Sequence, residues 1–157
     1  MRSSDTGPEP GLAAVLMLGA EGAWIGTRFV ATPEWAGPDW AKDRVVAAGA
    51  DDTLITKAYD LAQDWPFPLE IGDRVLRNDF TALWHGRDQE VVDRREELKG
   101  LIDAGERASD SRIAAVRAGS ATGLVSQLEP AGDLVRRIVA EAEAILCSRP
   151  QFLLGGQ

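Results

Sequence analysis

The apolar positions of this chain fall into short runs separated by glycine, proline and charge, and their spacing predicts more helix than strand. Leu12, Val15, Leu16 and Gly19 recur about one helical turn apart. Pro10 suits the first position of that helix, where its missing N–H costs nothing, and Gly19 suits a left-handed stop. The run Gly22–Val30 is nearly all apolar and bracketed by glycines, which predicts a fully buried parallel strand. Residues 31–37, containing Pro33 and Trp35, read as loop. Asp39 is placed to cap a helix over Trp40–Ala48, closed by Gly49, with Val45 and Val46 facing inward. Leu54-Ile55-Thr56 predicts a second short strand, whereas Asp64-Trp65-Pro66-Phe67-Pro68 cannot be regular because each proline removes a backbone donor.

Further along, Asp73 is expected to cap an amphipathic helix carrying Val75, Leu76, Phe80, Leu83 and Trp84. Residues 87–107 are charged and helix-forming, and residues 118–125 form a small-residue segment with two glycines. The last helix, Pro130–Ser148, has Leu134, Val135, Ile138, Val139, Ala142, Ile145 and Leu146 in one apolar stripe, with Cys147 on the inner side as a small buried hydrophobe. A parallel strand must be flanked by others, and here there is one. The pattern is therefore that of the end of a larger α/β wind.

Charge and composition narrow the chemistry. Of 157 residues, 45% are hydrophobic and 27% charged, enough for a core. Lys and Arg number 17 against 25 Asp and Glu, a net charge of −8, which argues against a nucleic-acid partner and against a polybasic membrane anchor. One His and one Cys do not suffice for a zinc site, so no metal is expected. No apolar run reaches the roughly 18 residues of a membrane span. Met1–Pro10 carries two acids for one base, a poor signal-peptide start, and with a lone Cys147 a reducing cytoplasm is the expected compartment.

The run Gly11–Thr32, GLAAVLMLGAEGAWIGTRFVAT, resembles the nitronate monooxygenase (2-nitropropane dioxygenase) family, which reads G-L-A-A-A-L-x-L-G-A-D-G-V-x-x-G-T-R-F-x-A-T at the seventh helix and eighth strand of its barrel. The similarity continues through residues 48–53, 74–80 and 84–87 and ends at 118–125. The resemblance implies the fold class α/β, specifically the C-terminal part of a TIM-type (β/α)8 flavin barrel, mostly helical as an isolated chain. It also implies FMN as cofactor and oxidation of alkyl nitronates by O2, with a small nitronate or nitroalkane as substrate. A barrel of this type takes about 250 residues. The expected organisation is thus a disordered tail over 1–10, the last barrel units with a phosphate-binding strand end over 11–60, post-barrel loops and helices over 61–126, a closing helix over 127–150 and a tail over 151–157. The family's Gly-Gly-Ile phosphate loop falls just before Gly11, where this chain has Ser-Asp-Thr-Gly-Pro-Glu-Pro.

Gly26-Thr27 is the best site candidate. Barrel phosphate sites lie after strands seven and eight, and a glycine there lets the backbone approach a phosphate while a Thr hydroxyl donates to it. In the family the matching Gly-Thr binds the FMN phosphate, and the preceding pair, here Trp24 and Ile25, also lines the cofactor. From the pattern alone, Gly26 reads first as the end of a buried strand, and the family resemblance turns the reading toward a phosphate site. Arg28 is a candidate to offset phosphate charge or to make a structural ion pair. Trp35, Trp40 and Trp65 read as loop packing in preference to a roof over a substrate mouth, and His85 as a helix-end histidine that does not match the family's upstream catalytic base. No catalytic residue is expected in this chain. Ser120 is balanced between approach to the flavin and a tight helix contact made possible by its glycine neighbours. Asp51-Asp52 reads as a turn device, and Asp93–Glu97 as a solvated face.

Three functions follow. The first is a nitronate monooxygenase-type enzyme represented by its C-terminal portion, inactive alone. The second is a non-catalytic truncated or split-gene remnant that associates with itself or completes an upstream chain. The third is a flavin-barrel enoyl or quinone reductase relative.

Overall fold

The computed structural model describes residues 10–66, 68 and 70–155. The expected tail over 1–10 lies, but for Pro10, outside the described residues, as does the segment aligned with the phosphate loop before Gly11. The chain divides into two compact units, residues 1–25 with 129–157 and residues 26–128.

In the first unit, helix α1 (Gly11–Met17) packs against the long helix α8 (Ala131–Leu154). Pro10 caps α1, and Gly19 takes the left-handed φ of 92° that stops it. Leu134, Ile138 and Ala142 are buried at i, i+4 spacing along α8, and Ala13 is the buried residue of α1. The expected stripe is narrower than its sequence suggests: Val135 and Val139, one position round the helix, stay largely exposed. Cys147 is exposed as well, which corrects its reading as a buried hydrophobe. The helix also runs past Ser148, through Pro150 to Leu154. Proline there forfeits one main-chain hydrogen bond without halting the turns that follow.

The second unit is built on two strands. β1 (Thr53–Thr56) pairs antiparallel with β2 (Asp73–Leu76), Leu54 opposite Val75 and Ile55 opposite Arg74. Residues 116–118 extend the ladder on the other edge of β2: the Leu76 amide donates to the Val116 carbonyl at 2.9 Å, and the Ala118 amide to the Arg74 carbonyl at 3.1 Å. Successive strand residues point to opposite faces, so Val75 and Leu76 enter different cores. Val75 joins Leu54, Tyr59, Phe80, Trp84, Val91, Leu98 and Ile102, collected from α4 (Ala58–Gln63), α5 (Asp79–Trp84), α6 (Asp88–Asp93) and α7 (Arg95–Arg107). Leu76 joins Ala31, Ala41, Val45, Val116, Ala118 and Val125, with α3 (Asp39–Ala47) on its far side.

Two expectations fail here. The helix expected from Asp73 is a strand as far as Leu76, and the helix begins only at Asp79, capped by Asn78, whose Oδ1 accepts from the Thr81 amide at 2.9 Å. A strand buried on both faces shows consecutive apolar residues, as Val75-Leu76 does, and so mimics helical spacing. The strand expected over Gly22–Val30 does not form: residues 22–26 are irregular and Thr27–Val30 make the single helical turn α2. A lone parallel strand leaves its backbone donors and acceptors without partners, and among the described residues no second parallel strand supplies them. One turn of helix satisfies some of these groups locally, beginning with the Phe29 amide on the Gly26 carbonyl at 2.9 Å.

Candidate cofactor site

The turn α2 forms one wall of an open cleft of about 370 Å3 in the second unit, a volume within the usual range for small-molecule sites. Gly26, Thr27, Phe29 and Val30 line it, with Trp35 from the following loop, Asp73 and Arg74 from β2, and Arg117, Ala118 and Gly119 from the segment beside β2. A side chain added at Gly26 would meet nothing within 4 Å, so no packing contact requires the glycine and its backbone is open. The Thr27 hydroxyl accepts a hydrogen bond from the Gly119 amide at 2.8 Å. Its own proton is left to donate, since no acceptor for it lies among the described residues.

The charges are arranged unevenly. Arg117 forms an ion pair with Asp73 and lies over the ring of Trp65, 5.5 Å from its centroid. Arg74 donates to the Thr53 hydroxyl at 3.1 Å and has no carboxylate within ion-pair distance among the described residues. Just behind, on α4, Asp60 is buried with Oδ1 lacking a hydrogen-bond partner. Burial pushes its carboxyl above the usual range, the Asp73 charge adds to this, and Arg117 opposes it.

Of the four residues expected to hold a cofactor, Gly26 and Thr27 come together in this cleft. Trp24 and Ile25 belong to the first unit, where Trp24 is fully exposed and Ile25 half-buried. Arg28 does not serve as the cleft's cation: its side chain is buried and donates to the Ala31 carbonyl at 3.3 Å. Trp35 lies flat over Gly37, where a Cβ would collide with its ring, and packs with Trp40 on the second core. Gly123 approaches the Ala50 amide so closely that a Cβ would stand 2.9 Å away, so the small-residue segment serves tight packing there; Ser120 is exposed. His85 is exposed at the end of α5. The Asp52 side chain accepts from the Gly49 amide at 2.7 Å, the turn device expected of it. Arg74, Asp73 and Arg117 escaped the sequence reading. The first two were absorbed into an expected helix, and no motif singles out Arg117.

The sequence model of the nitronate monooxygenase family matches residues 7–141. The chain belongs to this family. Among curated relatives, a nitronate monooxygenase of Metarhizium robertsii is 36% identical over 149 residues, covering 88% of this chain and 40% of the relative. A methyl-oxo-octahydroindene-carboxyl-CoA dehydrogenase of Mycobacterium tuberculosis is 28% identical, with 84% of this chain and 46% of the relative covered. Among solved structures, FabK from Thermotoga maritima superposes with a TM-score of 0.73 at 27% identity, over 92% of this chain and 44% of its own. Nitroalkane oxidase from Streptomyces ansochromogenes gives 0.69 at 28% identity, over 87% and 37%. The chain thus spans less than half the length of the curated relatives it matches. The expected fold class, part of a TIM-type barrel and mostly helical by itself, holds at the level of these nitronate monooxygenase and FabK likenesses. No helix among the described residues is long and apolar enough to cross a membrane, and no group of His, Cys, Asp and Glu among them is arranged to hold a metal ion.

Proposed function

We propose that this chain is the C-terminal portion of an FMN-dependent oxidoreductase that oxidises alkyl nitronates with O2, and that it is inactive alone. The observation that carries this reading is the cleft at Gly26-Thr27. An open glycine backbone, a hydroxyl with a proton to donate and a surplus of arginine over aspartate suit the phosphate end of FMN. Phe29, Val30 and Trp35 give the same cleft an apolar wall. On this reading Trp24 and Ile25 complete the contact with the cofactor in the whole enzyme, as the family resemblance implies.

FMN, when bound, supplies the electron chemistry. This chain's part is to bind and orient. The Thr27 hydroxyl is held at one lone pair by the Gly119 amide, which fixes the direction in which its proton is offered. No general base is assigned: His85 is exposed and is not among the residues lining the cleft, and Asp73 is committed to Arg117. The substrate is a small nitronate or nitroalkane, and the lone Cys147 suits a reducing cytoplasm.

The test is direct. The purified chain titrated with FMN is expected to bind weakly, and to show no turnover of propionate-3-nitronate. Stoichiometric yellow protein with turnover would overturn the view that the chain is a portion inactive alone. A second reading, a reductase or dehydrogenase of the same group, is favoured by the likeness to the CoA dehydrogenase and to FabK. Hydride transfer from NAD(P)H by the full-length enzyme, without nitronate oxidation, would select it.

A further inference from the structure

We propose that Arg74 is the phosphate-binding cation of this cleft, a residue that grips a phosphate monoester through its guanidinium while Arg117 is held back by Asp73. The inference rests on the reading of Gly26-Thr27 as a phosphate site and adds the residue that supplies its charge.

The protein as a whole carries a net charge of −8, yet the charged residues lining this cleft are two arginines and one aspartate. Asp73 neutralises Arg117 by direct ion pairing, and Trp65 covers the Arg117 guanidinium. The surplus positive charge is therefore that of Arg74. A half-buried arginine without a counter-ion among the described residues raises the local potential and favours an anion.

The position of Arg74 is fixed by two independent sets of bonds. Its side chain is steered by the Thr53 hydroxyl at 3.1 Å, which uses part of the guanidinium fork and leaves other N–H groups to donate. Its carbonyl accepts from the Ala118 amide at 3.1 Å, and the next amide, Gly119, donates to the Thr27 hydroxyl at 2.8 Å. Two hydrogen bonds on adjacent residues thus couple Arg74 to Thr27. Arg28, adjacent to the glycine-threonine pair in sequence, has its guanidinium turned onto the Ala31 carbonyl instead. A phosphate monoester matches the donors present: a planar fork, a hydroxyl proton and an open glycine backbone.

The experiment is a titration of the folded full chain, followed by amide chemical shifts, with inorganic phosphate, FMN and riboflavin as probes. Inorganic phosphate is expected to move the Gly26 and Thr27 amides, and Arg74→Gln to weaken that binding about tenfold or more. Arg77→Gln, whose side chain binds the Asp51 carbonyl, is expected to leave it unchanged. Should Arg74→Gln fail to melt cooperatively, Arg74→Lys keeps the charge without the fork and is expected to retain phosphate binding at a few-fold cost. Phosphate binding that depends on Arg74, with FMN bound no better than riboflavin, would support the cation and refute the flavin reading. FMN preferred over riboflavin equally by wild type and Arg74→Gln would keep the flavin reading and overturn the assignment of Arg74. No phosphate-induced shift in the folded chain would overturn it too.

Discussion

The Gly119 amide donates to the Thr27 hydroxyl at 2.8 Å across 92 residues of chain. A Cβ at Gly119 would stand 3.1 Å from that oxygen, so the bond requires a glycine or a local retreat. Thr27→Val keeps the shape and deletes the acceptor, leaving a part-buried N–H unpaired. The expected cost is about 1–2 kcal/mol in denaturant unfolding. Thr27→Ser is expected to recover most of it. Equal stability of the valine and serine variants would show that the bond contributes nothing.

Helix α7 contains two glycines whose replacement should have opposite effects. Alanine in place of a helical glycine ordinarily gains about 1 kcal/mol. Gly100 has open space around it, so Gly100→Ala is expected to raise the melting temperature. At Gly105 a Cβ would come within 2.8 Å of Ile113 Cγ2, with the Ile113 Cβ almost as near, in a fully packed place. Gly105→Ala is therefore expected to lower the melting temperature despite its better helix propensity. Thermal melts of the two single variants decide it, and a stabilised Gly105→Ala would refute the packing argument.

Local rules were legible where a single residue determines a stop or a cap. Gly19 ends α1, Asp52 closes its turn and the prolines around Trp65 exclude regular structure, as their chemistry requires. Long-range pairing was not legible. Whether Val75-Leu76 is strand or helix depends on β1 at one edge and Val116 at the other, and neither neighbour is written in the local spacing. The same reason defeats the strand expected over Gly22–Val30, whose apolar composition is right for burial but whose partners are missing among the described residues. At the candidate site, Gly26 and Thr27 are visible through the family resemblance, whereas Arg74 and Arg117 reach the cleft only through sheet pairing.

Asn78 joins three segments. It caps α5 with Oδ1, while Nδ2 donates to the Tyr59 hydroxyl at 2.9 Å and to the Ala114 carbonyl at 3.1 Å. The Tyr59 hydroxyl in turn donates to the Ile113 carbonyl at 2.7 Å, and its ring stacks on Phe80 at 4.6 Å. Burial pushes the Tyr59 phenol up to about 12, so it stays protonated throughout the ordinary range. Tyr59→Phe is expected to cost about 1–2 kcal/mol, because it leaves the Ile113 carbonyl and one N–H of the Asn78 side-chain amide without their partner. Asn78→Ala should cost more, since the cap is lost with them. Urea midpoints of the two variants test the order, and a smaller loss for Asn78→Ala would refute it.

The first unit carries exposed apolar side chains that a monomer has little reason to present. Phe152, Leu153 and Leu154 follow one another at the end of α8, each about three-quarters exposed, and Leu18 and Trp24 are more exposed still. Surfaces of this kind associate. Sedimentation of the isolated chain is expected to show self-association that the Phe152→Ser, Leu153→Ser, Leu154→Ser triple variant reduces. A stable monomer at high concentration would count against it.

Asp60 sets a pH dependence whose sign follows from its surroundings. Its carboxyl is raised first by burial and then by Asp73, with Arg117 and the Asp73 amide acting the other way. An acid with a raised folded-state pKa binds its proton more tightly in the native than in the unfolded chain. Its contribution to stability is therefore most favourable below the unfolded value, near 3.9, and declines as pH rises through the folded value. At neutral pH the buried charge with its unpartnered Oδ1 is a net cost. Asp60→Asn keeps the shape and an acceptor for the Asp73 amide while removing that charge. The variant is expected to be more stable than wild type at pH 7 by about 1 kcal/mol, on the scale of an unsatisfied buried group. That advantage should shrink on acidification, as the wild-type carboxyl takes up its proton. Chemical unfolding of both proteins between pH 4 and 8 measures the difference, and an advantage that grows on acidification would reverse the assignment.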